Sequence, residues 1–247
     1  MKRVKLVVAY DGTNYCGWQV QPNGITIEGV LNRELSKLLK EDIVVIGASR
    51  TDSGVHSYGN VAVFDTNARM PAEKISYALN QRLPDDIVVQ NSSEIPLDWH
   101  PRHCNSRKTY EYRILNREFP MPQRRLDTWF VYRKLNIPAM CEAAEQFEGT
   151  HDFKSFCSVN TAVEDTTRTI YSCEVEKDGN DIITIRVTGN GFLYNMVRII
   201  AGTLIRVGGG EMAPDEMPRI LGKKDRTAAG PTAPAHGLTM MGIEYGE

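Results

Sequence analysis

Apolar residues fall at every second position through Val4, Leu6, Val8 and Tyr10, and after Asp11-Gly12 the spacing changes. Behind Thr26, residues Ile27, Val30, Leu31, Leu35, Leu38 and Leu39 recur at helical intervals as far as Lys40. A period of two demands a strand with one buried face and a period near 3.6 an amphipathic helix, so the chain must layer helix on sheet. Thr26 is placed to cap the helix by accepting a backbone N–H of its first turn. Further strands are expected at 43–48 and 59–66, then a helix opened by Pro71 and running to Arg82, then a strand at Ile87-Val88-Val89, in the order β-α-β-β-α-β. A similar succession returns: strands at 108–115 and 129–132, a helix from Pro138 to Phe147, strands at 169–176 and 182–188, a helix from Phe192, and a last strand at 240–245. The fold class is α+β. Two ferredoxin-like (RRM-like) halves, 1–105 and 106–247, are expected, with antiparallel sheets joined edge to edge, an active-site cleft between them and a hinge at Pro96 to Asn105.

With 247 residues, 41% hydrophobic and 24% charged, the chain is long enough for a substantial core. No stretch approaches the ~18 uninterrupted apolar residues of a membrane helix. The opening Met1-Lys2-Arg3-Val4-Lys5-Leu6 lacks the apolar core and cleavage site of a secretory signal, so a cytoplasmic protein is expected. Five cysteines form an odd set without a Cys-x-x-Cys clip, as free thiols would. His100, His103 and Cys104 are interrupted by Pro101 and have no second ligand cluster, so no metal is expected. The net charge is only −2, yet residues 102–134 hold nine Lys/Arg against three acids, and residues 135–181 hold three against ten. That polarity would orient an anionic partner. The basic run also carries Tyr110, Tyr112, Trp129, Phe130 and Tyr132. Cations interleaved with aromatics suit phosphate contact and base stacking in looped RNA, although alternating aromatics also suit any strand. Pro120 to Arg125 is expected as an exposed basic loop.

Ser49-Arg50-Thr51-Asp52-Ser53-Gly54-Val55-His56 places a carboxylate in a glycine-bent loop directly after an apolar strand, with Arg50 close enough to hold that carboxylate ionised or to grip a phosphate. Asp-Ser-Gly is also ordinary turn chemistry. Arg198 lies in an otherwise apolar helix, where a guanidinium needs an anion or must reach solvent or backbone carbonyls; Asp52 is the candidate partner. Gly208-Gly209-Gly210 follows that helix instead of preceding it, so it reads as a helix stop rather than a phosphate loop. Asp52-Ser53-Gly54 matches the short signature of aspartic proteases, but a second such tripeptide is absent and Arg50 would oppose the shared proton those enzymes need. A non-catalytic RNA-binding module remains the alternative.

Four segments in register, Ser49 to His56, Arg107-Lys108-Thr109-Tyr110, Gly191 to Arg198 and Thr232 to Leu238, together with the opening Tyr10 to Gln19, resemble the tRNA pseudouridine synthase A (TruA) family over nearly the whole chain. The resemblance implies an isomerase that needs no cofactor. It further implies a homodimer that acts on tRNA, at uridines on the 3′ side of the anticodon stem-loop (tRNA positions 38–40). It implies that Asp52 is catalytic, that Tyr110 lies over the target base, that Arg198 pairs with the aspartate, that Arg50 helps displace the nucleotide and that Leu238 makes an apolar contact. Arg107, Lys108, Arg124 and Arg125 are the expected RNA-backbone contacts. Ser49, Ser53 and Ser57 stand where that family has Gly, Ala and Ala.

Overall fold

The computed structural model describes residues 1–159, 163–179 and 181–246. Among them are ten strands and five α-helices, in two compact units: 1–106 with 239–247, and 107–238.

In the first unit, β1 (Lys2–Tyr10) is central, flanked antiparallel by β3 (His56–Thr66) and β4 (Ile87–Ile95). The alternation of β1 puts Val4, Leu6, Val8 and Tyr10 into a core shared with helix α1 (Ile27–Leu39) and helix α2 (Ala72–Asn80). Thr26 caps α1 as expected, accepting from Gly29 N at 3.2 Å. The strand expected at 43–48 shrinks to β2 (Ile46–Gly47), antiparallel to β3. The reason is that the N–H groups of Ile43 and Val45 are taken by side chains of α1, Ser36 Oγ at 2.9 Å and Asn32 Oδ1 at 2.8 Å, and so do not join the ladder. The last strand, β10 (Leu238–Tyr245), pairs parallel with β3 through Thr239 and Met240 against His56 and Ser57. From residue 239 onward the chain therefore lies with the first unit. There it holds the 96–105 segment: the Tyr245 hydroxyl donates to Pro101 O at 3.2 Å, and its ring packs edge-on against Trp99.

In the second unit the strand order is β5 (Ser106–Asn116), β9 (Ile182–Gly189), β8 (Thr167–Lys177), β7 (Gly149–Asp152), all antiparallel, with β6 (Trp129–Val131) parallel to β5. Helices α3 (Ile137–Glu145) and α4 (Met196–Gly208) supply apolar faces, and α5 (Met217–Lys223) follows. Helix α4 starts four residues later than the apolar pattern suggests, because Asn195 adopts a left-handed conformation (φ 62°) that breaks the helix on its N-terminal side. The glycine run ends α4 as expected, with Gly210 at φ 76°.

One face of β5 carries Tyr110, Tyr112 and Ile114, all buried, while Glu111 and Arg113 face the other way. Glu111 is only 5% exposed and bonds Arg186 on β9 at 2.7 Å and Arg113 at 2.8 Å. Burial pushes its carboxyl up, but the two guanidiniums outweigh that and hold it below the usual glutamate value. A carboxyl lowered in the folded state contributes stability that is complete above its unfolded value near 4.5 and is lost as pH falls through the lowered one. Glu111→Gln is therefore expected to cost about 2 kcal/mol at neutral pH, less than a fully buried pair because Arg186 reaches water. Denaturant unfolding followed from pH 7 towards pH 3 should show the wild type losing that margin with acid and the variant lacking it from the start. Equal stabilities at pH 7 would contradict the expectation.

Candidate active site

Residues 49–56 leave β2 and enter β3, and backbone groups on both sides of Asp52, Thr51 O and Gly54 N, are held by the stretch from Tyr10 to Trp18. Trp18 N donates to Thr51 O at 3.0 Å, Gly54 N to Tyr15 O at 3.3 Å, and Val55 N closes the turn on Asp52 O at 3.1 Å. The Tyr10 and Thr51 hydroxyls share a 2.7 Å hydrogen bond. Asn60, fully buried on β3, clamps Ser49 from both sides, accepting from its N–H at 3.3 Å and donating to its carbonyl at 3.0 Å. The consequence is an alternation: Ser49 and Thr51 point inward, Arg50 is exposed and Asp52 is half-buried at the bend.

Three glycines make this approach possible. A Cβ on Gly12 would lie 2.0 Å from Val55 O, and one on Gly17, itself at φ 84°, would lie 2.6 Å from Thr51 O. Gly54, at φ 77°, makes the bend that sends the chain into β3. Of the three serines that depart from the family's pattern, Ser53 gains a bond from Oγ to Tyr15 O at 3.1 Å, Ser57 Oγ accepts from Gly59 N at 3.1 Å, and Ser49 fits within the Asn60 clamp.

Tyr110, Arg198 and Leu238 all belong to the second unit, where Arg198 and the neighbouring strand residue Tyr112 bond to the segment 232–238. Tyr110 on β5 is 8% exposed, and its ring meets Phe192 edge-on with centroids 5.1 Å apart. Two residues on, the Tyr112 hydroxyl donates to Pro234 O at 2.8 Å; burial raises its pKa and keeps it a donor. Arg198, half-buried on α4, donates from Nε to Ala233 O and from Nη1 to Asn195 Oδ1, both at 2.7 Å. The plane of its guanidinium is set by those two bonds, and Ala233 N returns a bond to Arg198 O at 3.1 Å. Leu238, buried, closes the segment at the start of β10. Helix and segment touch through glycine: a Cβ on Gly202 would lie 1.9 Å from Pro231 O.

The expected backbone contacts are on the surface. Arg107 stacks over the exposed Tyr171 ring at 4.7 Å, a cation and a π-face together, and Lys108 is half-buried beside it in sequence. Arg124 and Arg125 occupy the exposed turn at Pro122–Arg124, where Arg124 pairs with Asp127 at 2.8 Å and Arg125 donates to Pro122 O at 3.1 Å. Tyr10, Asn60 and Tyr112, which hold these elements, were absent from the expected site residues. A polar Asn directly before the apolar run Val61 to Phe64 was the available signal for the second. His100 and His103 form a stacked ring pair with centroids 4.0 Å apart, and no three metal-ligating side chains gather among the described residues. Nor is any helix among the described residues long and apolar enough to cross a membrane.

The family model described as tRNA pseudouridine synthase matches residues 6–103 and 143–246. A protein named tRNA pseudouridine synthase A from Ruminiclostridium cellulolyticum is 49% identical over 245 residues, covering 99% of this chain and 100% of that one. The protein of the same name from Thermoanaerobacter sp. (strain X514) matches at 49% with the same coverage, and that from Clostridium acetobutylicum is 47% identical over 248 residues, covering 99% and 100%.

Proposed function

The chain belongs to the tRNA pseudouridine synthase A family and is an isomerase of tRNA uridines, and on that premise we propose that it acts on the 3′ side of the anticodon stem-loop with Asp52 as its catalytic carboxylate. The observation that supports this most is the Asp52 turn itself: a half-buried carboxylate whose neighbours on both sides are tied to another segment. A surface turn needs no such bracing. A group that must meet a reacting atom does.

The reaction breaks the bond from N1 to C1′, turns the base, forms the bond from C5 to C1′ and moves a proton from C5 to solvent while N1 gains one. Atoms balance without any redox partner. The target must first leave the stack, at a cost of a few kcal/mol, which cations on the phosphates and a ring over the base offset. Asp52 then acts at the sugar or the base as an anion, as nucleophile or as base. Arg198 is assigned the counter-charge that keeps it anionic and Tyr110 the stacking surface, with Arg50 helping to displace the target nucleotide and Leu238 making an apolar contact in the pocket. Arg107, Lys108, Arg124 and Arg125 are assigned to phosphates.

Two measurements follow. Incubation of the purified protein with unmodified tRNA transcript tritiated at uridine C5 should release tritium to water in proportion to pseudouridine formed, and no release would sink the proposal. Tyr110→Phe should keep tRNA affinity within about threefold, whereas Tyr110→Ala should weaken it by about 1–3 kcal/mol, the worth of one stacked base. Equal affinities for the two variants would remove the stacking role.

A further inference from the structure

Arg102 reaches back across 55 residues to the strand that precedes the Asp52 loop, where its Nε donates to Gly47 O at 2.7 Å. That bond fixes the side chain by its inner nitrogen and leaves the two outer ones for another partner. Its backbone is equally constrained: Arg102 N donates to His100 Nδ1 at 3.2 Å, and the neighbouring Pro101 carbonyl is held by Tyr245. Three residues beyond Gly47 stands Arg50, also exposed. The charge of Arg50 is felt at Arg102, where burial and then that like charge lower the guanidinium's pKa. Glu28, the acid whose field reaches Arg102, is engaged by Val20 N at 2.8 Å. Among the described residues neither arginine forms an ion pair. The Glu28 charge offsets less than the Arg50 charge imposes, so an anion between the two guanidiniums would relieve their repulsion, and guanidiniums match the geometry of phosphate oxygens.

We propose that Arg102 and Arg50 form a two-guanidinium clamp on one backbone phosphate of the tRNA substrate, beside the nucleotide on which Asp52 acts. Arg102 is thus a positioning residue for the reaction, and its role rests on the isomerase reading above. The clamp explains why an arginine in the 96–105 segment is tethered by a backbone carbonyl of β2: the tether aims it at the phosphate that Arg50 meets from the catalytic loop.

The test is binding of fluorescently labelled unmodified tRNA across a salt series, with pseudouridine formation measured in parallel. Arg102→Met should weaken binding about tenfold at low salt and reduce the slope of log affinity against log salt by about one, the signature of one lost phosphate contact. Arg102→Lys, which keeps the charge, should retain the slope. Arg50→Met with Arg102→Met should lose less than the product of the single losses, since both hold one phosphate. A wild-type slope in Arg102→Met, or equal losses in the Lys and Met variants, would overturn the clamp. Wild-type protein that binds tRNA with the expected slopes yet forms no pseudouridine would instead overturn the isomerase reading and leave the clamp standing.

Discussion

Asp52→Asn is expected to reduce single-turnover pseudouridine formation by at least ~10⁴-fold, the scale on which enzymes lose rate when the reacting side chain itself is removed. The amide has the shape of the carboxylate, and the bonds that hold the turn come from backbone groups at 51, 52, 54 and 55, so the loop keeps its course. tRNA affinity and the thermal midpoint should therefore stay close to wild type. The charge is what the substitution removes: an amide neither attacks carbon nor takes a proton. A variant that folds, binds tRNA and turns over at more than about a hundredth of the wild-type rate would move the chemistry to another group.

Gly12→Ala should be the most damaging conservative change in the first unit. The added methyl would sit 2.0 Å from the Val55 carbonyl oxygen, and because that atom is backbone, no rotamer change relieves the clash. Either the Tyr10 to Trp18 stretch or the 49–56 loop must move, breaking the bond from Gly12 N to His56 Nδ1 at 3.1 Å. Overpacking against backbone is expected to cost about 3 kcal/mol or more, which for a chain of this size lowers the thermal midpoint by roughly 6–12 °C. Turnover should fall with it even below the melting range, because the displaced loop carries Asp52. Gly222→Ala is the control: nothing lies within 4 Å of its Cβ, and it stands in α5, so it should be neutral or mildly stabilising. Similar melting of the two variants would show that the bracing is not tight.

The parts of the fold carried by local periodicity were legible beforehand. Strand β1, the Thr26 cap, the alternation of β5 and the Asp52 turn after an apolar strand each have a signature within ten residues. What was not legible depends on partners far along the chain. The strand expected at 43–48 was cut short by Ser36 and Asn32, whose use of backbone donors on a neighbouring segment leaves no periodic trace. Strand β7 was missed because Gly149-Thr150-His151-Asp152 has no apolar alternation. In α5, by contrast, Met217, Ile220 and Leu221 are spaced as a helix face behind Pro214, a signal that was there to be used. The last strand alternates visibly, but its pairing with β3 is a long-range choice that no local pattern states. The same holds within the candidate site. Asp52, Arg50 and Tyr110 stand in recognisable motifs, whereas Asn60, Gly12 and Arg102 matter through what approaches them.

The central claim is that this chain makes pseudouridine in the anticodon arm of tRNA and that Asp52 does it. Nucleotide-resolution mapping of pseudouridine in tRNA from cells lacking the gene, complemented with wild type or with Asp52→Asn, tests it most directly. Pseudouridines on the 3′ side of the anticodon stem-loop should vanish in the deletion, return with wild type and stay absent with Asp52→Asn. Their return with Asp52→Asn, or their persistence in the deletion, would contradict the account.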